Sequence, residues 1–351
     1  MSVAWSPDGK TIASASADGT IKLWGKDSNE LATLNNQDRV FSVAWSPDGQ
    51  IMASASDKGT IKLWGKDGKE LVTFSAAGLS VYDIAWSPDS KTLASASDNG
   101  SIQLWNLYGK EIKTIWAHDD KVFGVVWSPD GKMLASASAD KTIKLWNLEG
   151  KELRTLKGHS ESVGNLAWSP DGKTLASTSV DNTIKLWNLD GKELKTLKGH
   201  SNGVTSIAWS PDSKMLASSS GDKTIKLWSK DGKELKTLKG HSSEVYKVIF
   251  SPDGQTLASA STDKTIKLWS LDGNDLATLN GHGDVVNSIS FSPDGNILAS
   301  GSNDQSLILW NLDLDNLMVG GCDWLHDYLN NPNAKISNEE RHVCDGIGTS
   351  G

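Results

Sequence analysis

Five times along this 351-residue chain a histidine is followed by a serine 18 residues on, an aspartate 22 on and a tryptophan 28 on. The sets are His118/Ser136/Asp140/Trp146, His159/Ser177/Asp181/Trp187, His200/Ser218/Asp222/Trp228, His241/Ser259/Asp263/Trp269 and His282/Ser300/Asp304/Trp310. Serine, histidine and aspartate together are the parts of a hydrolase: nucleophile, base and the acid that orients the base. Such a centre also needs an exposed serine and a hole for the oxyanion. Five near-identical catalytic centres in one chain make little chemical sense. The recurrence favours a part in the framework of the repeat over catalysis.

Two other chemistries come up. Cys322 and His326 lie one helical turn apart, and His342 and Cys344 follow. A zinc site would draw on these four, but the second pair has the wrong spacing for one helix face, so no metal is expected. A lysine column, Lys22, Lys62, Lys144, Lys185, Lys226 and Lys267, is interrupted by Gln103 and Ile308. It suggests a Lys-bearing outer edge, where lysine blunts strand edges against aggregation. No aromatics interleave with it for base stacking. The net charge is −8 and the pI about 5.4, which also argues against a nucleic-acid partner. No apolar run nears the ~20 residues of a membrane-spanning helix. Both cysteines lie in the tail, so the array needs no disulfide and suits a reducing cytoplasm.

What must position these residues is a repeat. An aromatic followed by Ser-Pro-Asp stands at Trp5, Trp45, Trp86, Trp127, Trp168, Trp209, Phe250 and Phe291, in steps of 40 or 41 residues. A second marker ends in Trp24, Trp64, Trp105, Trp146, Trp187, Trp228, Trp269 and Trp310. Each copy reads as four short strands. In the fifth they are Val163 to Trp168, Thr174 to Ser179, Thr183 to Trp187 and Glu193 to Leu197, joined by turns rich in Pro, Asp, Asn and Gly. One such sheet cannot bury both faces alone, whereas sheets stacked radially can.

These residues resemble the WD40 repeat: Gly-His, a copy of about 40 residues, an Asp before the third strand and a closing Trp. The residue after each closing Trp departs from the pattern, being Gly, Asn or Ser and never Asp. The resemblance implies an all-β, eight-bladed β-propeller of four-stranded antiparallel blades over residues 1–319. A seven-bladed ring with one surplus copy is the alternative. It also implies that the five sets are hydrogen-bond chains inside blades. Copies 2 and 3 lose the set: Lys58 and Asn99 take the Asp place, and "NNQD" and "SAAG" replace Gly-His. Copy 1 keeps Ser14, Asp18 and Trp24, and its start looks cut from a longer chain.

Partner binding is expected where copies differ. Four residues before the Ser-Pro-Asp aromatic stand Phe41, Tyr82, Phe123, Gly164, Thr205, Tyr246 and Asn287. In WD40 propellers this place lies at the rim of the narrower face, where partners commonly dock. Arg39 and Lys121 stand two residues earlier in their copies, and aromatics with Arg resemble an interface centre. These rings could instead pack around the channel. Trp116 replaces the Lys of "LKGH" and is expected either to staple a loop or to touch a partner.

After Trp310, Asn316 to Val319 aligns with a last outer strand. Residues 320–351 read as a short helical tail: Trp324, Leu325, Tyr328 and Leu329 give an apolar side, and Ser337 with Glu340 forms a capping box. The tail resembles the ending of bacterial WD40 proteins that carry a signalling NTPase upstream, though no G-x-x-x-x-G-K-[ST] occurs here. The expected function is a non-enzymatic scaffold or sensor module for a protein or peptide, monomeric or part of a longer chain, with no cofactor. A propeller hydrolase and a carbohydrate-binding lectin are the alternatives.

Overall fold

The computed structural model describes residues 2–76 and 79–313. Thirty-one strands form eight antiparallel meanders, seven of four strands and, among the described residues, one of three. The blades span residues 2–35, 40–75, 81–116, 122–157, 163–198, 204–239, 245–279 and 286–311. In the fifth the strands are Val163–Trp168, Leu175–Ser179, Thr183–Trp187 and Glu193–Lys198, within a residue of the expected bounds. The last outer strand expected at 316–319, the tail helix, the capping box and the Cys/His group all lie outside the described residues.

The first strand of each blade touches the first strands of both neighbours, so these strands line the channel. The ring closes by packing: the first strand of blade 8 lies against that of blade 1. Val3, Trp5 and Ile12 of blade 1 share a core cluster with Ala299 of blade 8, and Trp5 Nε1 donates to Ser290 O at 3.1 Å. A seven-bladed ring with a surplus copy is therefore ruled out. Each core cluster is drawn from two blades, as where Ala135, Ile143 and Leu156 meet Leu166, Leu175 and Trp187. A blade is flat on both faces, so only its neighbours can keep those faces dry.

The Ser-Pro-Asp turn shows why the copies stack so regularly. In blade 5, Ser169 Oγ donates to Asp171 Oδ1 at 2.6 Å, and that same oxygen accepts Lys173 N. The fourth turn residue is left-handed, which Gly172 adopts freely at φ 70°. Two blades put serine there instead, Ser90 at φ 60° and Ser213 at φ 61°. Each hydroxyl accepts the Asp N of the preceding blade's turn, Asp48 and Asp171 respectively, both at 3.0 Å. The backbone strain is exchanged for a stitch between blades.

Candidate functional site

The His-Ser-Asp-Trp sets lie inside blades. In blade 5, Trp187 Nε1 donates to Ser177 Oγ at 2.9 Å, Ser177 Oγ meets His159 Nε2 at 2.9 Å, and His159 Nδ1 meets Asp181 Oδ2 at 2.8 Å. Blades 4, 6, 7 and 8 repeat the chain. Trp146, Trp228, Trp269 and Trp310 donate to Ser136, Ser218, Ser259 and Ser300 at 2.8 to 3.0 Å. Those hydroxyls meet His118, His200, His241 and His282, which pass the chain on to Asp140, Asp222, Asp263 and Asp304. A neutral imidazole satisfies every link: Trp to Ser, Ser to Nε2, and Nδ1–H to Asp. Burial holds His118, His159, His200 and His241 below the usual imidazole range, against the pull of their aspartates. Burial pushes Asp181 up, but bonds from Thr183, His159 and Ser160 N outweigh it and hold the carboxyl low.

The burial of the five serines removes them from any list of residues that meet a ligand. Ser136, Ser177, Ser218, Ser259 and Ser300 are each 0% exposed. The closing indole on one side and the imidazole on the other occupy each hydroxyl, and no substrate reaches it. One string, GHSNG at 199–203, does fit the letters of a nucleophile elbow. It lies in the connection between two strands, with no helix following, and Ser201 N donates to Asp222 Oδ2. The strand–turn–helix that exposes such a serine is not there.

Blade 2 corrects the expectation that its set is lost. Trp64 Nε1 donates to Ser54 Oγ at 2.9 Å, and Ser54 Oγ donates to Asn36 Oδ1 at 3.0 Å, with Asn36 in the histidine's place. An amide oxygen accepts as the imidazole nitrogen does, so half the chain survives. The other half does not: Lys58 stands at the Asp place and turns out to Asp38 at 2.8 Å, and among the described residues Asn36 Nδ2 is buried without a partner. Blade 3 keeps Trp105 Nε1 to Ser95 Oγ.

The lysine column is not the exposed edge expected from sequence. Lys62, Lys185, Lys226 and Lys267 are buried. Lys185 Nζ bonds Glu193 at 2.8 Å and Thr196 at 2.7 Å, and Lys62, Lys226 and Lys267 likewise pair with Glu70, Glu234 and Asp275. Lys22 and Lys144 pair with Glu30 and Glu152. The third strand sets each lysine beside the closing Trp, whose ring it overlies in four blades. Its carboxylate, eight residues on, reaches back from the fourth strand. Each of the six charges is thus neutralised by a carboxylate of its own blade.

The variable column stands elsewhere, at the channel mouth on the face where the chain passes between blades. There the first strand of blades 2 to 8 carries a register shift, and the extra residue is the variable one: Phe41, Tyr82, Phe123, Gly164, Thr205, Tyr246 or Asn287. A bulge re-aims a side chain out of the pleat. The rings of Phe41 and Tyr82 stack at 5.9 Å between centroids, and those of Tyr82 and Phe123 meet at 5.6 Å. Arg39 lies over Phe41 at 5.3 Å. Tyr82 Oη donates to Asp98 at 2.7 Å, and Lys121 bonds the same carboxylate at 2.9 Å, crossing from blade 4 to blade 3. Asp57, the counterpart of Asp98 in blade 2, has Phe41 where Asp98 has the Tyr82 phenol; among the described residues its Oδ1 is buried without a partner. Asp57 and Asp98 escaped the sequence reading as site residues; their one-residue offset from the Asp place was the available signal.

Tyr246 stands on blade 7, opposite this row, and is 44% exposed. Thr205 is not a free position: its hydroxyl bonds Val245 O at 2.5 Å and Ser219 Oγ at 2.9 Å, tying blade 6 to blade 7. Trp116 ends the outermost strand of blade 3 and is 75% exposed, which is not how a ring that pins a loop sits. On the opposite face a groove of about 420 Å³ runs between blades 3 and 4, lined by Leu104, Ile112, Trp127 and Leu148. A groove at the matching place, lined by Leu268, Leu276 and Phe291, lies between blades 7 and 8. Its recurrence marks a feature of the repeat and not a dedicated site.

Three family descriptions match the chain. The IFT122 first beta-propeller matches residues 1–163, the WDR19 first beta-propeller residues 124–287, and the WD domain, G-beta repeat residues 273–311. No curated protein matches the sequence. Among solved structures, the crystal structure of the computationally designed Ika8 protein is similar, with a TM-score of 0.79 and 29% identity over 88% of this chain and 95% of that one. WD40 propellers are typically non-enzymatic scaffolds that bind proteins or peptides. This chain carries WD40 repeats folded into an eight-bladed β-propeller.

Proposed function

We propose that the chain is a non-enzymatic interaction module that takes a protein or peptide on the narrow-face rim over blades 2 to 4. The row of Phe41, Tyr82 and Phe123 carries this reading. A purely structural need would recur in every copy, as the Ser-Pro-Asp turn does; this row occupies three adjacent blades and gives way to Gly164 on the next. Interface centres are rich in aromatics and Arg, ringed by groups that exclude water. Trp116, exposed on blade 3, extends the contact outward. The same reading takes the propeller as the sensing end of a longer cytoplasmic signalling chain of bacterial type, an inference that rests on the resemblance of the tail. Among the described residues no helix is long and apolar enough to cross a membrane.

The test is affinity capture with mass spectrometry, comparing the native chain with Phe41→Ala, Phe123→Ala and Gly164→Ser. Truncating an anchor typically weakens binding by about thirtyfold or more, ~2 kcal/mol. The two aromatic variants should lose the same captured protein while melting as the native chain does, and Gly164→Ser should keep it. Nothing lies within 4 Å of a Cβ added at Gly164, so that control is sterically free. Capture unchanged by either aromatic change places the site elsewhere.

A further inference from the structure

One residue beyond the rim, each first strand presents another column to the channel: Ser2, Ser42, Asp83, Gly124, Asn165, Ser206, Lys247 and Ser288. Six of the eight are small and neutral. The other two bear opposite charges and stand on blades 3 and 7, four blades apart in either direction, hence on facing walls. We propose that this channel binds a small zwitterion, a molecule bearing an amine and a carboxylate, with its ammonium at Asp83 and its carboxylate at Lys247.

The geometry at each wall supports it. Asp83 is anchored: Oδ2 accepts Val125 N at 3.1 Å from the next blade, and Oδ1 accepts Ile84 N at 3.0 Å. Gly124 puts no side chain beside it; a Cβ there would stand 3.4 Å from Gly164 O and 3.9 Å from Asp83 Oδ2. Lys247 is barely held. Its ammonium can donate three hydrogen bonds, yet among the described residues it makes one, a long 3.4 Å contact with Ser288 Oγ. Both side chains keep some accessible surface, because the channel admits solvent, while protein surrounds them. That setting pushes the Asp83 carboxyl up to about 6 and pulls the Lys247 ammonium down. Each feels the other's charge, but no ion pair joins them among the described residues.

A pair serving the fold alone would close, since a buried charge is tolerated when paired and costly when not. Here the charges stay apart across a channel walled by serines and an exposed Asn165. The separation selects for the length of the ligand between its two charged ends. The hydroxyls and the amide offer hydrogen bonds along it, and no bulky side chain of this column fills the space.

The experiment is calorimetric titration of the intact chain with glycine, β-alanine, 4-aminobutanoate and 6-aminohexanoate, with acetate and methylamine as half-ligands. One chain length should bind, and each half-ligand should bind at least about tenfold more weakly. Lys247→Met should abolish binding, and Asp83→Asn, which keeps an oxygen for Val125 N, should weaken it. Should Asp83→Asn fail to fold, Lys247→Met decides alone, because it removes only a half-buried cation that the fold barely holds. If no member of the series binds at millimolar concentration, or if Lys247→Met binds as the native chain does, the proposal is wrong. Phe41→Ala and Phe123→Ala should leave this titration unchanged, which separates it from the rim reading.

Discussion

Blade 5 and blade 2 are copies of one unit, yet they are held together differently. In blade 5 a continuous chain runs Trp187–Ser177–His159–Asp181, and backbone and hydroxyl groups of Thr183 close its end. In blade 2 the chain stops at Asn36, whose Nδ2 is orphaned, and the next position has turned outward as Lys58. The aromatic rim lies over blades 2, 3 and 4, so its row begins on the blades with the poorer network. Repeat proteins are stabilised by intrinsic terms of each repeat and by contacts between neighbours. A weak copy can therefore be carried by its neighbours, and the freed sequence can serve binding. Departures from the local rule are expected at functional places.

The largest effect should come from breaking a complete chain. His159→Ala leaves the buried Ser177 hydroxyl without its imidazole and takes one bond from the half-buried Asp181, and should cost about 2 kcal/mol in denaturant melts. Lys58→Ala, at the matching end of the degraded chain, should leave the midpoint where it was, since Lys58 lies at the surface. Equal losses in the two variants would show that the buried chains carry no special weight.

A second prediction uses pH. Four imidazoles, His118, His159, His200 and His241, are held below their ordinary range by burial. The unfolded chain then binds protons more readily than the folded one, so stability rises with pH. The contribution is whole above the free imidazole value of ~6.5 and fades as pH falls from there. Asp263, held down to about 2, adds a second loss at much lower pH. Asp83, raised to about 6, works the other way between ~4 and 6, but it is one group against four. The urea midpoint should drop between about pH 7 and pH 5, with most of the drop assignable to blades 4 to 7. A flat midpoint across that range would mean that the imidazoles are not buried neutral.

Restoring blade 2 should raise stability by less. Asn36→His with Lys58→Asp supplies the imidazole and its carboxylate together. Each change alone should help little, and the pair should help more than their sum. Additive changes would show that blade 2 cannot accept the chain.

Much of this was legible in the sequence because the repeat is exact in its markers: blade number, strand order and strand bounds follow from the spacing of Trp, Ser-Pro-Asp and Gly-His. The five sets were legible for the same reason. The register shift at Tyr82 was not, because a bulge depends on pairing with a partner strand. Asn36 was not legible because histidine marks its place in the other copies, although an amide oxygen serves the same acceptor role. The buried lysines were misread because lysine is usually exposed, although a carboxylate eight residues on, such as Glu193 after Lys185, was in plain sight. Asp83 and Lys247 were missed because a single charge in an alternating strand looks like a solvent-facing position; only ring closure sets blades 3 and 7 opposite each other.

The smallest effect is the most local. Ser90 and Ser213 hold left-handed backbone while each hydroxyl ties its turn to the preceding blade, Ser90 to blade 2 and Ser213 to blade 5. Serine to glycine relieves strain of about 1 kcal/mol and removes a hydrogen bond worth about the same. The global midpoint should therefore move by less than about 0.5 kcal/mol for either change. Local opening should tell them apart, since hydrogen exchange reports units that open on their own. Blade 5 has its full internal chain and should hold its amides after Ser213→Gly. Blade 2 has half a chain and leans more on its neighbours, so its amides should exchange faster after Ser90→Gly while blades 5 and 6 stay protected. If the two substitutions loosen their blades equally, the ring behaves as one cooperative unit and the contrast between its two ends stays chemical, without reaching dynamics.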